Sequence, residues 1–196
     1  MDITIIRHLP THWNQKGILQ GKRDIPISLP LSNNSVNKLR ENKLRLHQHQ
    51  SFDYVFASEL VRTIQTAKLY GYMAPTIEPL LNELDFGQFE GKAKEDLWKA
   101  HKEWITSPLQ MTLGESLKNF QQRIYTFIEK YAHAHSLLVF GHGSWARALV
   151  SIKNIGTIQK MNQIEINNNE LITVKIKKRY ETNLKDSESL VDRQNQ

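Results

Sequence analysis

The chain has 196 residues, of which 39% are hydrophobic and 23% charged, and its formal net charge is +6. This length suits one domain with a substantial core, and the absence of cysteine excludes disulfides and thiol chemistry. No apolar run reaches the roughly 20 residues that span a bilayer, and no secretory leader pattern is present, so we expect a cytoplasmic protein without membrane contact. The positive charge favours anionic partners.

The predicted elements alternate between apolar strands and amphipathic helices. In chain order, we expect a strand at 2–6 and an irregular loop at 9–34. A helix from Ser35 to His49, with apolar Val36, Leu39 and Leu44, and a strand at 54–58 come next. They are followed by a helix ended by Gly71 and by a short strand with a loop at 76–87. A helix at about 91–106, a helix within 114–135, a strand at 136–140, a helix capped by Ser144 and a strand at 170–178 follow.

This alternation predicts an α/β fold, a three-layer α/β/α sandwich with a mostly parallel central sheet. We expect a single domain over residues 1–180 and a polar C-terminal tail over 181–196. The basic run at 175–179 is interpreted as a solvated edge, with a binding patch as the alternative.

Polar residues stand where three of the predicted strands end. Arg7 and His8 follow the first strand, and Ser58 follows the second, with Arg62 one turn later. Gly141-His142-Gly143 follows the third. Because ligands of open α/β sheets bind outside the carboxyl ends of the strands, we expect these residues to meet in one crevice. Two arginines and two histidines in a partly dry crevice repel one another unless an anion lies between them, and phosphate suits arginine.

Four ordered motifs then carry a resemblance to a known family. RHLPTHWN with Gln20-Gly21 downstream, SELVRTIQTA, LNELDFGQFEG and FGHGSWAR resemble the histidine phosphatase superfamily, also called the phosphoglycerate mutase-like family. The motifs run from His8 to Arg147 and so cover about three quarters of the chain. The short phosphatases related to α-ribazole phosphatase are the most similar branch.

The resemblance implies a role for each matching catalytic residue. His8 is expected to be the nucleophile that forms a phosphohistidine, while Arg7 and Arg62 hold the phosphoryl oxygens. His142 is expected to complete the pocket on the opposite side. Glu83 matches the family's proton donor, which later serves as base toward water.

Further residues are expected to bind the substrate. Asn14 matches an asparagine that contacts the phosphate, Gln20 and Gly21 fall on a substrate-facing loop, and Gly143 is expected to line the pocket. Ser58 is interpreted as a helix cap with a secondary phosphate contact. Trp98 and Trp104 are expected on a helix packing face, with a wall of the substrate pocket as the alternative.

Neither a metal nor a cofactor is expected. Phosphoryl transfer requires mainly positioning and a positive field, which the arginines and histidines supply. His8 and His12 have the H-x-x-x-H spacing of helical zinc ligands, but Pro10 disfavours a helix there. Leu9-Pro10 departs from the small and acidic residues usual in the family, a change that leaves His8 itself untouched.

The sequence favours a phosphomonoesterase acting on a small phosphorylated metabolite. The family's glycolytic mutases carry an insertion after the glutamate motif, whereas only 59 positions separate Glu83 from His142 here. A phosphomutase and a non-catalytic phosphate- or phosphoprotein-binding module are the alternatives. No basic-aromatic motif points to nucleic acid, and the oligomeric state stays open.

Overall fold

The computed structural model describes residues 1–48 and 51–177, and in these ranges five strands form one sheet with the order β3-β2-β4-β1-β5. The strands are β1 (Asp2–Arg7), β2 (Tyr54–Ala57), β3 (Thr76–Ile77), β4 (Ser136–Gly141) and β5 (Leu171–Lys175). The first four run parallel, and β5 pairs antiparallel with β1. The predicted α/β class with a mostly parallel sheet is therefore confirmed.

Seven α-helices surround the sheet in the described part of the chain. They are α1 (His12–Gln15), α2 (Asn33–His47), α3 (Val61–Leu69), α4 (Lys94–Ala100), α5 (Glu103–Thr106), α6 (Leu117–Lys130) and α7 (Gly143–Ile155). Short 3₁₀ turns lie at Pro79–Leu81, Gly87–Phe89, Pro108–Gln110 and Ile158–Gln163. None of these described helices is both long enough and apolar enough to cross a membrane.

The sheet separates two hydrophobic clusters. Ile3 and Ile5 of β1 point to one face, where they join a cluster with α6 and α7 side chains such as Phe127. Ile6 points to the other face and joins Leu46 of α2 in a second cluster, which α3 also enters. Successive strand residues face opposite sides, so the helices form a layer on each face, as the predicted sandwich requires.

Helix α2 differs from its predicted form in its start and its buried face. It begins at Asn33 rather than Ser35 because the Ser32 hydroxyl caps it, accepting from the Ser35 N–H at 3.2 Å. Leu44, one of the apolar residues of the predicted helix, is 61% exposed, whereas Asn42 is buried together with Leu46. Asn42 faces inward because it meets polar groups that need hydrogen-bond partners.

Other predicted boundaries also need correction. The helix expected at 91–106 is two helices, α4 and α5, separated at His101, whose backbone is extended (φ −135°, ψ 86°). His142, not Ser144, occupies the cap position of α7. The loop expected at 9–34 contains α1, which Thr11 caps and which begins at the exposed His12. The tail predicted at 181–196 lies outside the described residues, and so do positions 178 and 179 of the basic run at 175–179.

A buried polar turn precedes β5. Among the described non-glycine residues, Asn169 alone has a positive φ, 58°, in the left-handed region that costs most L-residues about 1–2 kcal/mol. Its side-chain oxygen accepts from the Tyr70 hydroxyl at 2.6 Å, its side-chain amide donates to the Ser35 carbonyl at 3.2 Å, and its own carbonyl accepts from Asn42 at 2.8 Å. Asn169 therefore explains why α2 turns Asn42 inward.

Substitutions at Asn169 should separate the cost of its backbone from the cost of its side chain. Asn169→Gly keeps the left-handed conformation but removes both side-chain hydrogen bonds, which should lower the free energy of unfolding by about 1–3 kcal/mol. Asn169→Ala adds the backbone penalty and should be less stable than the glycine variant by about another 1 kcal/mol. Urea unfolding measures both values.

The neighbouring Asn167 supplies the matched control. Its side chain is exposed, so Asn167→Ala should stay within about 0.5 kcal/mol of the parent. Equal stability of the Asn169→Gly and Asn169→Ala proteins would contradict the proposed backbone cost.

Candidate active site

The two predicted site histidines lie side by side at the carboxyl ends of neighbouring strands. Arg7 of β1 is opposite Gly141 of β4 in the parallel register, and the His8 N–H donates to the Gly141 carbonyl at 2.9 Å. This pairing brings His8 next to His142, with 5.4 Å between the ring centroids. The predicted convergence of strand ends thus occurs for these two strands.

His8 is held as a neutral imidazole with a defined tautomer. Its Nδ1 lies 2.7 Å from the Leu9 carbonyl oxygen, which can only accept, so Nδ1 carries the proton and Nε2 keeps a free lone pair. Burial, followed by the charges of Arg62 and Arg7, holds the pKa of His8 well below its usual value. A neutral imidazole of this tautomer can act as a nucleophile through Nε2.

Arg62 is fully buried and ties the loop at Gly21 and Arg23 to α3. Its two terminal nitrogens donate to the carbonyls of Arg23 at 2.7 Å and Gly21 at 2.8 Å. Burial lowers its pKa to about 10, so it remains protonated near neutral pH. Its Nε has no hydrogen-bond partner among the described residues.

Arg7 offers a second guanidinium group beside His8, and its side chain is partly buried. Its Nη1 donates to the Ile166 carbonyl at 2.6 Å, and its buried Nε lacks a partner in the described structure. Burial, then the charge of Arg147, lowers the pKa of Arg7 to about 10. Buried donors on cations normally have partners, so the unpaired nitrogens of both arginines indicate room for an anion.

Arg147 is a cavity residue to which the sequence analysis assigned no role. It lies on α7, four residues after Gly143, and thus on the same helix face. A Cβ on Gly143 would lie 3.2 Å from Cζ of Arg7 and 3.3 Å from Nη1 of Arg147. A side chain at this position would therefore require the two guanidinium groups, which flank the helix start, to shift by a few tenths of an ångström.

Lys94 adds a further cation to the same wall. Burial, followed by the charges of Arg7 and Arg147, lowers the pKa of its ammonium group. It shares no salt bridge with an acidic residue of the described chain. The cavity therefore has a strongly positive inner end.

The Glu83 carboxyl group lies at the N-terminus of α7. One oxygen accepts from the Leu84 N–H at 2.9 Å, and the other accepts from the Ser144 N–H at 3.2 Å. These two contacts fix the position of the carboxyl group at the start of α7. Glu83 lines the same cavity as His8 and is only 9% exposed.

Neither Ser58 nor His142 lines the cavity, although Ser58 was expected to contact the phosphate and His142 to complete the pocket. The Ser58 hydroxyl is fully buried and forms a 2.7 Å hydrogen bond with Nε2 of His142. The His142 ring is fully buried, and burial, followed by the charges of Arg62 and His8, keeps its pKa well below the usual value. Ser58 therefore orients His142, whose Nδ1 has no partner within the described residues.

The side chain of Asn14 is oriented by three donors. Its Oδ1 accepts from the Thr11 N–H at 3.0 Å, the Thr11 hydroxyl at 3.1 Å and the Asn168 amide at 3.4 Å. With the oxygen occupied, the amide nitrogen is the atom left to donate into the cavity that Asn14 lines. Asn168 also donates to the His8 carbonyl at 2.9 Å, a contact that no motif signalled.

One cavity of about 390 Å³ contains most of the predicted site residues. Those that line it are Arg7, His8, Asn14, Gln20, Gly21, Arg62, Glu83 and Gly143. Trp98 and Trp104 also line it, as the alternative reading of these two residues allowed. Over residues 1–48 and 51–177, no group of three or more His, Cys, Asp and Glu side chains is placed to hold a metal ion.

Comparison with known proteins identifies the family. Residues 3–186 match the family model of the histidine phosphatase superfamily (branch 1). The chain is 29% identical over 159 residues to the Hydrogenobacter thermophilus protein named "Putative phosphoserine phosphatase 2", with 76% of each chain covered. It is 28% identical over 183 residues to a Rhizobium etli 2,3-bisphosphoglycerate-dependent phosphoglycerate mutase, covering 83% of this chain and 85% of the relative.

The fold has a solved counterpart. The crystal structure of the α-ribazole phosphatase from Shigella flexneri superimposes with a TM-score of 0.72 at 24% identity, covering 91% of this chain and 92% of that one. This likeness concerns the fold. Together with the match over residues 3–186, it leads to one conclusion: the chain belongs to the histidine phosphatase superfamily.

Proposed function

We propose that the protein is a phosphomonoesterase that hydrolyses a small phosphorylated metabolite through a phosphohistidine on His8. The observation that carries the proposal is the His8 ring, whose Nδ1–H is bound to the Leu9 carbonyl and whose Nε2 is free beside the buried Arg62 and the partly buried Arg7. A site that only binds phosphate has no need of a neutral imidazole with a defined tautomer.

In the first step, Nε2 of His8 attacks phosphorus and the bond from phosphorus to the leaving oxygen breaks. Glu83 in its acid form gives its proton to that oxygen, which departs as an alcohol. Arg7 and Arg62 balance the charge on the phosphoryl oxygens through both steps. The amide nitrogen of Asn14 is placed to donate to one of the same oxygens.

In the second step, water attacks phosphorus of the phosphohistidine. The Glu83 carboxylate accepts a proton from that water, and the bond from phosphorus to Nε2 breaks as inorganic phosphate forms. His8 and Glu83 thereby return to their starting states. None of these steps calls for a metal ion or an organic cofactor.

A phosphomutase is the second candidate, and the likeness to the Rhizobium etli mutase favours it. A mutase must keep water from the phosphohistidine until the second alcohol arrives. The short stretch between Glu83 and His142 argues for hydrolysis, because it leaves little chain to cover the site.

A panel of phosphorylated metabolites should separate these functions. Purified protein is incubated with α-ribazole phosphate, phosphoserine, 3-phosphoglycerate and sugar phosphates, and both free phosphate and isomerised product are measured. We expect phosphate release that EDTA leaves unchanged. Faster isomerisation than hydrolysis in the presence of a bisphosphate primer would show a mutase, and strong inhibition by EDTA would show a metal requirement.

A further inference from the structure

We propose, building on the phosphomonoesterase function, that the leaving group of the substrate carries a flat apolar ring and a hydrogen-bond donor. The outer part of the cavity would bind this group. We call this part the outer chamber and define it by Trp98, Trp104, Ile105, Phe86, Asn162 and Gln20, all of which line the cavity. The argument rests on its apolar wall and on its unpaired polar atoms.

The wall changes character from the inner end to the outer end. At the inner end, His8 and Arg62 are buried and the groups are charged. At the outer end, Trp98 is 48% exposed and Ile105 is 39% exposed. Large apolar side chains left open at the mouth of a charged pocket indicate a ligand with an apolar part.

Trp98 lies on the side of α4 that faces the cavity. It follows Lys94 by four residues, about one helical turn, and both side chains line the cavity, while Leu97 is fully buried in the core. Deeper in the chamber, Phe86 and Trp104 pack edge to face with ring centroids 6.1 Å apart. The open face of Trp98 and this aromatic pair form a surface suited to a planar ring.

Two buried side-chain oxygens of the outer chamber need a hydrogen-bond donor from the ligand. The Asn162 amide nitrogen donates to the Trp104 carbonyl at 2.8 Å, which fixes the amide orientation and leaves Oδ1 as an acceptor. That Oδ1 is buried without a partner in the described structure, and so is Oε1 of Gln20, a residue only 7% exposed. Buried acceptors without partners are costly, so a hydroxyl or N–H group on the ligand would satisfy them.

The volume agrees with such a ligand. A cavity of about 390 Å³ falls within the roughly 300–1,000 Å³ of small-molecule sites. With the phosphoryl group at the cationic end, space remains for a group the size of one or two fused rings. A glycerol-sized leaving group would leave Trp98 in water and the two acceptors unpaired.

Binding measurements with full-length protein test the ring. The probe is 1-naphthylphosphonate, which cannot be hydrolysed, and calorimetry gives its Kd beside that of inorganic phosphate. Trp98→Ala should weaken binding of the naphthyl probe about tenfold and leave the phosphate Kd within about twofold. Trp98→Phe should restore most of the affinity. Ile155→Ala, which shortens an apolar side chain that is 49% exposed and remote from the cavity, should change neither Kd.

Kinetics on two substrates test the same claim in turnover. In Trp98→Ala, KM for 1-naphthyl phosphate should rise about tenfold with kcat little changed, while KM for glycerol 2-phosphate should stay within about twofold. Equal losses for both substrates would overturn the inference and leave the phosphomonoesterase proposal standing. Absence of turnover on every phosphomonoester would overturn that proposal, and the phosphonate Kd values would still decide the role of the outer chamber.

The hydrogen-bond donor is tested with Asn162→Leu, which replaces the acceptor by an apolar group of similar size. The parent protein should bind a naphthylphosphonate bearing a ring hydroxyl more tightly than the plain naphthyl probe. In the leucine variant this difference should disappear, while affinity for the plain probe stays the same or improves. A hydroxyl advantage that persists in the variant would refute the assignment of Asn162.

Discussion

His8→Ala should lower the turnover of p-nitrophenyl phosphate by more than about 10⁴-fold, since removing a nucleophile leaves only binding and charge stabilisation. The ring supplies the Nε2 lone pair that its Nδ1 contact with the Leu9 carbonyl defines, and an alanine side chain has no comparable atom. Release of p-nitrophenol gives the rate. Mass spectrometry after an alkaline quench should detect a phosphorylated protein in the parent and none in the variant.

Two controls make this result specific. His12→Ala removes an exposed imidazole four positions away and should keep parental activity. Calorimetry should show that His8→Ala still binds inorganic phosphate, because Arg7 and Arg62 remain. Turnover retained by His8→Ala would refute its assignment as the nucleophile, and so would a phosphorylated form of that variant.

Glu83→Gln should have the second largest effect, and the effect should depend on the leaving group. For alkyl phosphates, whose alcohols need a proton to depart, we expect a loss of about 10²–10⁴-fold. For p-nitrophenyl phosphate the formation of the phosphoenzyme should slow far less, because p-nitrophenolate leaves without protonation. Stopped-flow measurement of the first turnover separates this step from hydrolysis of the phosphohistidine.

The amide in Glu83→Gln keeps the size of the side chain and one acceptor for the N–H groups of Leu84 and Ser144. Glu95→Gln, an exposed change on α4, is the matched control and should be neutral. A uniform loss of phosphoenzyme formation across alkyl and aryl leaving groups would rule out proton donation by Glu83. The two halves of the proposed mechanism thus have separate tests.

The strand ends could be predicted because parallel strands place their carboxyl ends at one edge of the sheet. Arg7, His8 and His142 follow apolar runs whose burial is evident in the sequence, and β1 and β4 are neighbours with matched register. Glu83 and Asn14 follow no such strand end. Their roles were predicted from the family resemblance alone, and both residues line the cavity.

The residues that the sequence did not reveal depend on packing between distant elements. Arg147 looks like an ordinary charged residue of a helix, and only the close approach of α7 to Arg7 makes it part of the cavity. In the same way, Val36 and Leu44 are apolar residues of α2 that are exposed, whereas Asn42 is buried. The inward face is decided by Asn169, more than 120 positions later in the chain, whose carbonyl requires Asn42 as a donor.

The turn before β5 also holds the end of the first strand. The Asn169 N–H donates to the carbonyls of Arg7 at 3.0 Å and His8 at 3.3 Å, and Asn168 adds its bond to His8 across 160 positions of the chain. When synthesis has passed the end of α7, every side chain of the proposed chemistry is present. The hydrogen bonds from Asn168 and Asn169 to the end of β1 cannot yet form. Correct placement of the imidazole therefore depends on residues that follow all the reacting groups in the chain, and truncation just after Ile166 should disable the protein although no reacting group is lost.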